Sequence, residues 1–102
     1  MTFKVTPAAR NDILNIGRFT QNEWGKPQRK KYLAGLNSRF DYLAENPLQC
    51  RERQELNPPV RIYHHEKHLI VYVVEPTHIL IVRVLHESMN IEFRVKERIN
   101  TE

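Results

Sequence analysis

Between Val60 and Leu85 the chain carries three short apolar runs, VRIYH (60–64), HLIVYVVE (68–75) and HILIVRVL (78–85), parted only by brief polar turns. Runs of this length, rich in valine and isoleucine, are strand-sized. Glu75-Pro76-Thr77 is short enough to close the last two into a hairpin. Their apolar residues are nearly continuous rather than alternating, the pattern of interior strands that need cover on both faces. That need for cover constrains every other part of the fold.

The N-terminal half supplies some of the cover. In TFKVT, Phe3 and Val5 share one face and Lys4 the other, which predicts a first strand. Thr6-Pro7 then reads as a helix start, with Thr6 as N-cap and proline at the first helical position. A helix over about Pro7 to Trp24 places Ala9, Ile13, Ile16, Thr20 and Trp24 on one face. Gly25 suits its C-cap, and Pro27 follows. A second helix over about Gln28 to Glu45 buries Leu33, Leu36, Phe40 and Leu43, and Asn46-Pro47 ends it. The short link makes the two an antiparallel hairpin. Arg29, Lys30 and Lys31 in its first turn are either a solvated face or a contact for an acidic partner.

The expected fold is therefore α+β, one domain over residues 1–102. An antiparallel sheet of about four strands carries an N-terminal helical hairpin on one face, in the order β-α-α-β-β-β. Residues 47–59 form a loop rich in proline and charge. The tail NIEFRVKERI sets Ile91, Val95 and Ile99 on one helical face and suggests a short third helix at the sheet edge.

Two helices cover only one face of such a sheet. In the last strand Leu80, Val82 and Val84 lie on one side, and Ile79, Ile81, Arg83 and Leu85 on the other. If the helices take the first set, the second is an outward apolar strip holding one arginine. A bare strip of that kind marks a binding surface and is otherwise prone to aggregate. The expectation is a partner chain, hence a hetero-oligomer, docked on Ile79, Ile81, Arg83 and Leu85.

The net charge of +4 and pI of about 9.5 favour an acidic partner. Cys50 is the only cysteine, which excludes an intrachain disulfide and fits a reducing cytoplasm. The N-terminus MTFKVTPAAR lacks the apolar region of a secretory signal, and no run approaches the roughly 20 residues of a membrane span. Three unclustered glycines exclude a phosphate-cradling or dinucleotide fingerprint, so no cofactor is expected. His64, His65 and His68 carry no metal-site spacing, since neighbours on a strand point to opposite faces. Arg61, Arg83, His64 and His86 would supply, on paper, the base, acid and cation of RNA cleavage. The planar guanidinium groups of Arg61 and Arg83 equally suit a partner's carboxylates, and this reading is preferred.

The stretch TPAARNDILNIGRFTQNEWG, with Ala8, Ala9, Asp12, Ile16, Thr20, Trp24 and Gly25 in series, resembles the first helix of ParE toxins in the RelE/ParE superfamily. LAENP (43–47) and IVRVLHESMNI (81–91) are similar to the end of that family's second helix and to its C-terminal strand. The resemblance spans essentially the whole chain. It implies a bacterial toxin of a type II toxin–antitoxin system, non-enzymatic, that binds DNA gyrase and blocks replication. It also implies a cognate ParD-like antitoxin whose acidic, apolar C-terminal segment wraps the toxin. The alternatives are a RelE-type ribosome-dependent endoribonuclease and a degenerate binding module. RelE-type members carry a tyrosine just after the last strand, where this chain has His86-Glu87-Ser88-Met89. Partner contacts, to antitoxin or gyrase, are expected at Arg61, Arg83, His86 and Met89. Within this reading Arg83 is an ionic anchor, and His86 closes the strand end without proton transfer.

Overall fold

The computed structural model describes residues 1–89 and Ile91. β1 (Thr2–Val5) leads into α1 (Pro7–Trp24) and α2 (Lys26–Glu45); β2 (Glu52–Arg53), β3 (Val60–His65), β4 (His68–Val74) and β5 (His78–His86) follow. They form one five-stranded sheet in the order β1-β5-β4-β3-β2. The helical hairpin lies on one face, as the sequence predicts. The two-residue β2 extends the expected strands at one edge. β1 runs parallel to β5, so the sheet is mixed. Alternation in TFKVT marks a strand but not its direction; the long crossover through both helices is what permits a parallel pair. The third helix expected in the tail lies outside the described residues, apart from Ile91.

Thr6 starts α1 as expected. Its Oγ1 accepts from the Ala9 N–H at 3.0 Å and its hydroxyl donates to the Val82 carbonyl at 2.7 Å. Gly25 ends α1 with φ +92°, a backbone that side-chain-bearing residues rarely adopt, and its N–H donates to the Gln21 carbonyl. Ala9, Ile16 and Thr20 are buried on α1, and Leu36, Phe40, Leu43 and Ala44 on α2. Trp24 departs from its predicted face. It is the last residue of the helix and is 71% exposed.

The faces of β5 also differ from expectation. Ile79 and Ile81 point to the helices, with Ile70, Tyr72 and Val84, and are wholly buried. Leu80, Val82 and Leu85 lie on the opposite face with Val60, Val71 and Val73. The strict alternation fails because Tyr72 pairs with Ile81 while Val71 pairs with Arg83. β5 thus holds one extra residue, a bulge that shifts the parity of everything after it.

The opposite face is not bare. Val60, Val71, Val82 and Leu85 are each at most 1% exposed, and Leu56 from the 47–59 loop and Ile91 pack against them. Leu56 and Ile91 thus cover part of this side, and Ile79, Ile81 and Leu85, buried in the core, do not form the outward apolar strip expected from alternation. Among the described residues no helix is long and apolar enough to cross a membrane.

Candidate functional site

β1 stops at Val5, and beyond Ile81 side chains of α1 take its place beside β5. The Thr6 hydroxyl meets the Val82 carbonyl, and the Asp12 carboxylate accepts from the Val84 N–H at 3.0 Å. Asp12 also binds Arg83 through both oxygens, with Nε donating at 2.7 Å and Nη2 at 2.9 Å. Both side chains of this pair are only 12% exposed. Arg83, predicted to anchor a partner's carboxylate, therefore anchors α1 to the bulge. Asp12, seen in the sequence only as part of a family signature, is the residue that holds it there.

Arg61 sits on β3 opposite Tyr72, and its Nη1 donates to the Cys50 carbonyl at 2.5 Å. The Tyr72 hydroxyl donates to the Pro47 carbonyl at 3.0 Å, and burial pushes its phenol above the usual tyrosine range. Both residues tie the start of the 47–59 loop to the sheet. Arg61 and Arg83 thus serve internal contacts, and the structure brings neither into a shared site with His64 and His86. His64 instead forms an exposed contact with Glu87 at 3.0 Å.

The concave surface lies elsewhere, where α1 and α2 overhang the end of the sheet. Two cavities, about 430 Å³ and 510 Å³, share Phe19, Lys67 and His68 as a common wall. The first also meets Ile16, His86 and Met89; the second also meets Trp24, Lys31, Tyr32 and His65. Of the residues predicted for binding, His86 and Met89 are brought together here. Ile79, Ile81 and Leu85 are buried in the two halves of the core. Phe19, Trp24 and Met89 are large apolar side chains left exposed around the groove, and Lys31 and Lys67 give its rim positive charge.

Sequence reasoning missed Phe19, Tyr32, Lys67 and His68 as groove residues. One signal was present: Phe19 is an apolar residue off the Ala9–Ile13–Ile16–Thr20 stripe, on a helix face that should otherwise be polar.

One stretch of the groove wall is polar. The Tyr32 hydroxyl lies 2.6 Å from His68 Nδ1. Burial, aided by Glu66, holds the Tyr32 phenol up at about 12, so it stays protonated. Burial first, and then neighbouring His86 and His65, depress the pKa of His68. His86 Nδ1 accepts from the Ser88 N–H at 3.1 Å, which assigns its ring proton to Nε2 in the neutral form. Among the described residues no group of three or more His, Cys, Asp or Glu is placed to hold a metal ion. The arrangement offers an apolar trough whose rim carries Lys31, Lys67 and Glu66, a small positive excess that suits an acidic amphipathic segment.

A family model described as the ParE toxin of the type II toxin–antitoxin system parDE matches residues 3–91. The chain is 32% identical over 98 residues to a Toxin ParE of Escherichia coli, covering 93% of each protein. It is 34% identical over 92 residues to Toxin ParE1 of Mycobacterium tuberculosis, covering 88% of this chain and 93% of that one. Toxin ParE1 of Caulobacter vibrioides is 27% identical over 88 residues, covering 86% and 91%.

Proposed function

Because the chain belongs to the ParE toxin family of type II toxin–antitoxin systems, we propose that it arrests growth by binding DNA gyrase in the cytoplasm and that a ParD-like antitoxin neutralises it. On this reading it is no enzyme. The observation that carries the reading is the use of its arginines. Arg83 is committed to Asp12 and Arg61 to the Cys50 carbonyl, whereas cleavage through the 2′-OH needs a cation aimed at the scissile phosphate. What the surface offers instead is contact area: Phe19, Trp24 and Met89 around a trough with lysines at its rim. Exposed aromatics of this kind dominate the energetics of protein interfaces.

The antitoxin segment proposed for the groove is acidic and apolar. Its apolar residues replace water against Phe19 and Ile16, and its carboxylates meet Lys31 and Lys67. Trp24 supports this reading from another direction. In the series by which the first helix resembles the family, Ala9, Asp12, Ile16, Thr20 and Gly25 each have an internal role, whereas Trp24 is exposed.

Purified protein added to a DNA gyrase supercoiling reaction tests the target. The expected result is lost supercoiling with accumulation of cleaved DNA. Normal supercoiling together with new cuts in ribosome-bound mRNA would replace this reading with the endoribonuclease one.

A further inference from the structure

Three histidines stand side by side across the open end of the sheet. His65 pairs with His68 between β3 and β4, and His68 pairs with His86 between β4 and β5. Paired residues share a face, so the three imidazoles form one row under the helices. His68 meets His86 edge-on, with ring centres 5.6 Å apart and planes at 89°. Tyr32 of α2 closes over the row, its ring 5.6 Å from His68 and 5.8 Å from His65. Its hydroxyl completes the seam at His68 Nδ1. The partner-binding reading takes these residues as groove wall but makes no use of their contacts with one another.

We propose that the row His65–His68–His86, capped by Tyr32, is an acid-sensitive latch: neutral, it holds α2 against the open end of the sheet; protonated, it parts that seam and joins the two cavities. Like charges directly opposite each other on neighbouring strands repel, and the row places up to three in line. The surrounding charges offset them only in part, since Glu66 and Glu87 favour the cations yet His65 and His68 stay depressed. From α2 come Lys31 and Arg39; the β3–β4 turn brings Glu66 and Lys67. Glu87 follows His86, and Asp12 on α1, across the first cavity, is committed to Arg83. Tyr32 adds no negative charge below about pH 12.

The direction of the effect follows from burial. His65 and His68 both titrate below the ordinary histidine value of 6.5, chiefly because burial disfavours the cation. The unfolded seam therefore binds more protons than the closed one. Its stabilisation is complete above pH 6.5 and is lost as pH falls below that value through the depressed pKa.

Amide hydrogen exchange on the full chain at about pH 7.5 and 5, corrected for intrinsic rates, spans the histidine titration range and reads the latch directly. On acidification, protection at residues 31–36 and 66–69 should fall at least about tenfold relative to residues 70–72 of β4, the equivalent of one pK unit. His68→Gln keeps a polar atom near Tyr32 but cannot titrate, and should cut that acid response to under about threefold. His86→Gln serves the same purpose through the other end of the row. His78→Gln, at the far end of β5, should respond like the wild type. An equal acid response in all variants, no response in the wild type, or a loss spread evenly over the sheet would overturn the proposal.

Discussion

Replacing Asp12 with alanine should destabilise the protein by about 3 kcal/mol, near the lower end of the range for breaking a buried ion pair. The carboxylate accepts three hydrogen bonds, two from Arg83 and one from the Val84 N–H, at 2.7–3.0 Å. With both partners 12% exposed, water cannot fully replace what is lost. For a domain of about 100 residues, each kcal/mol shifts Tm by roughly 4–8 °C, so the variant should melt about 12–24 °C lower. Asp12→Asn, which keeps one acceptor, should fall between. A double-mutant cycle with Arg83→Met isolates the pair from whatever else each residue touches. A coupling of about 2 kcal/mol or more is expected, little changed between about 0.1 and 1 M salt because the pair is shielded from solvent. A loss below about 0.5 kcal/mol for Asp12→Ala, or additive single variants, would refute the claim that α1 is clamped to the β5 bulge by this pair.

Trp24→Ser and Phe19→Ser should leave thermal stability within about 0.5 kcal/mol of wild type, because neither residue is in the core. Each should weaken binding of the cognate antitoxin by about 2 kcal/mol, some thirtyfold, measured by calorimetry. Thr6→Ala removes both the α1 cap and the bond to the Val82 carbonyl, and should cost about 1–2 kcal/mol in denaturant unfolding. Gly35→Ala should stabilise by about 0.5–1 kcal/mol, since Gly35 lies inside α2 and an added Cβ would sit at an ordinary 3.7 Å from His65 Nε2. His86→Ala should leave gyrase inhibition largely intact, in the supercoiling assay, if the action is binding without proton transfer.

Much of the fold was legible because its signals are local. Thr6-Pro7 and Gly25 mark the bounds of α1, and apolar runs between turn residues mark β3, β4 and β5 within a residue or so. The site was less legible because it depends on one non-local event. Counting by twos along HILIVRVL gives the right faces only while β5 stays in register with β4. The extra residue at Val82 breaks that count, sends Val84 to the helices and lets Arg83 reach Asp12, 71 residues away. No pattern in the strand itself announces the bulge. The second face was misjudged for a related reason. Leu56 stands alone in a loop of proline and charge, and nothing local shows that it folds onto Val60, Val71 and Val82. His68 heads an apolar run in the sequence, and becomes a groove residue only where the hairpin sets it beside His86 and beneath Tyr32.

Chemical-shift mapping of the labelled toxin with its cognate antitoxin tests most directly where this protein engages its partner. The largest perturbations should fall on residues 15–31, 65–69 and 86–89 around Phe19, Trp24 and Met89, with Val60, Val71 and Val82 little changed. Perturbations centred on Val60, Val71 and Val82, with the Phe19–Trp24 segment silent, would contradict the assignment of binding to the groove.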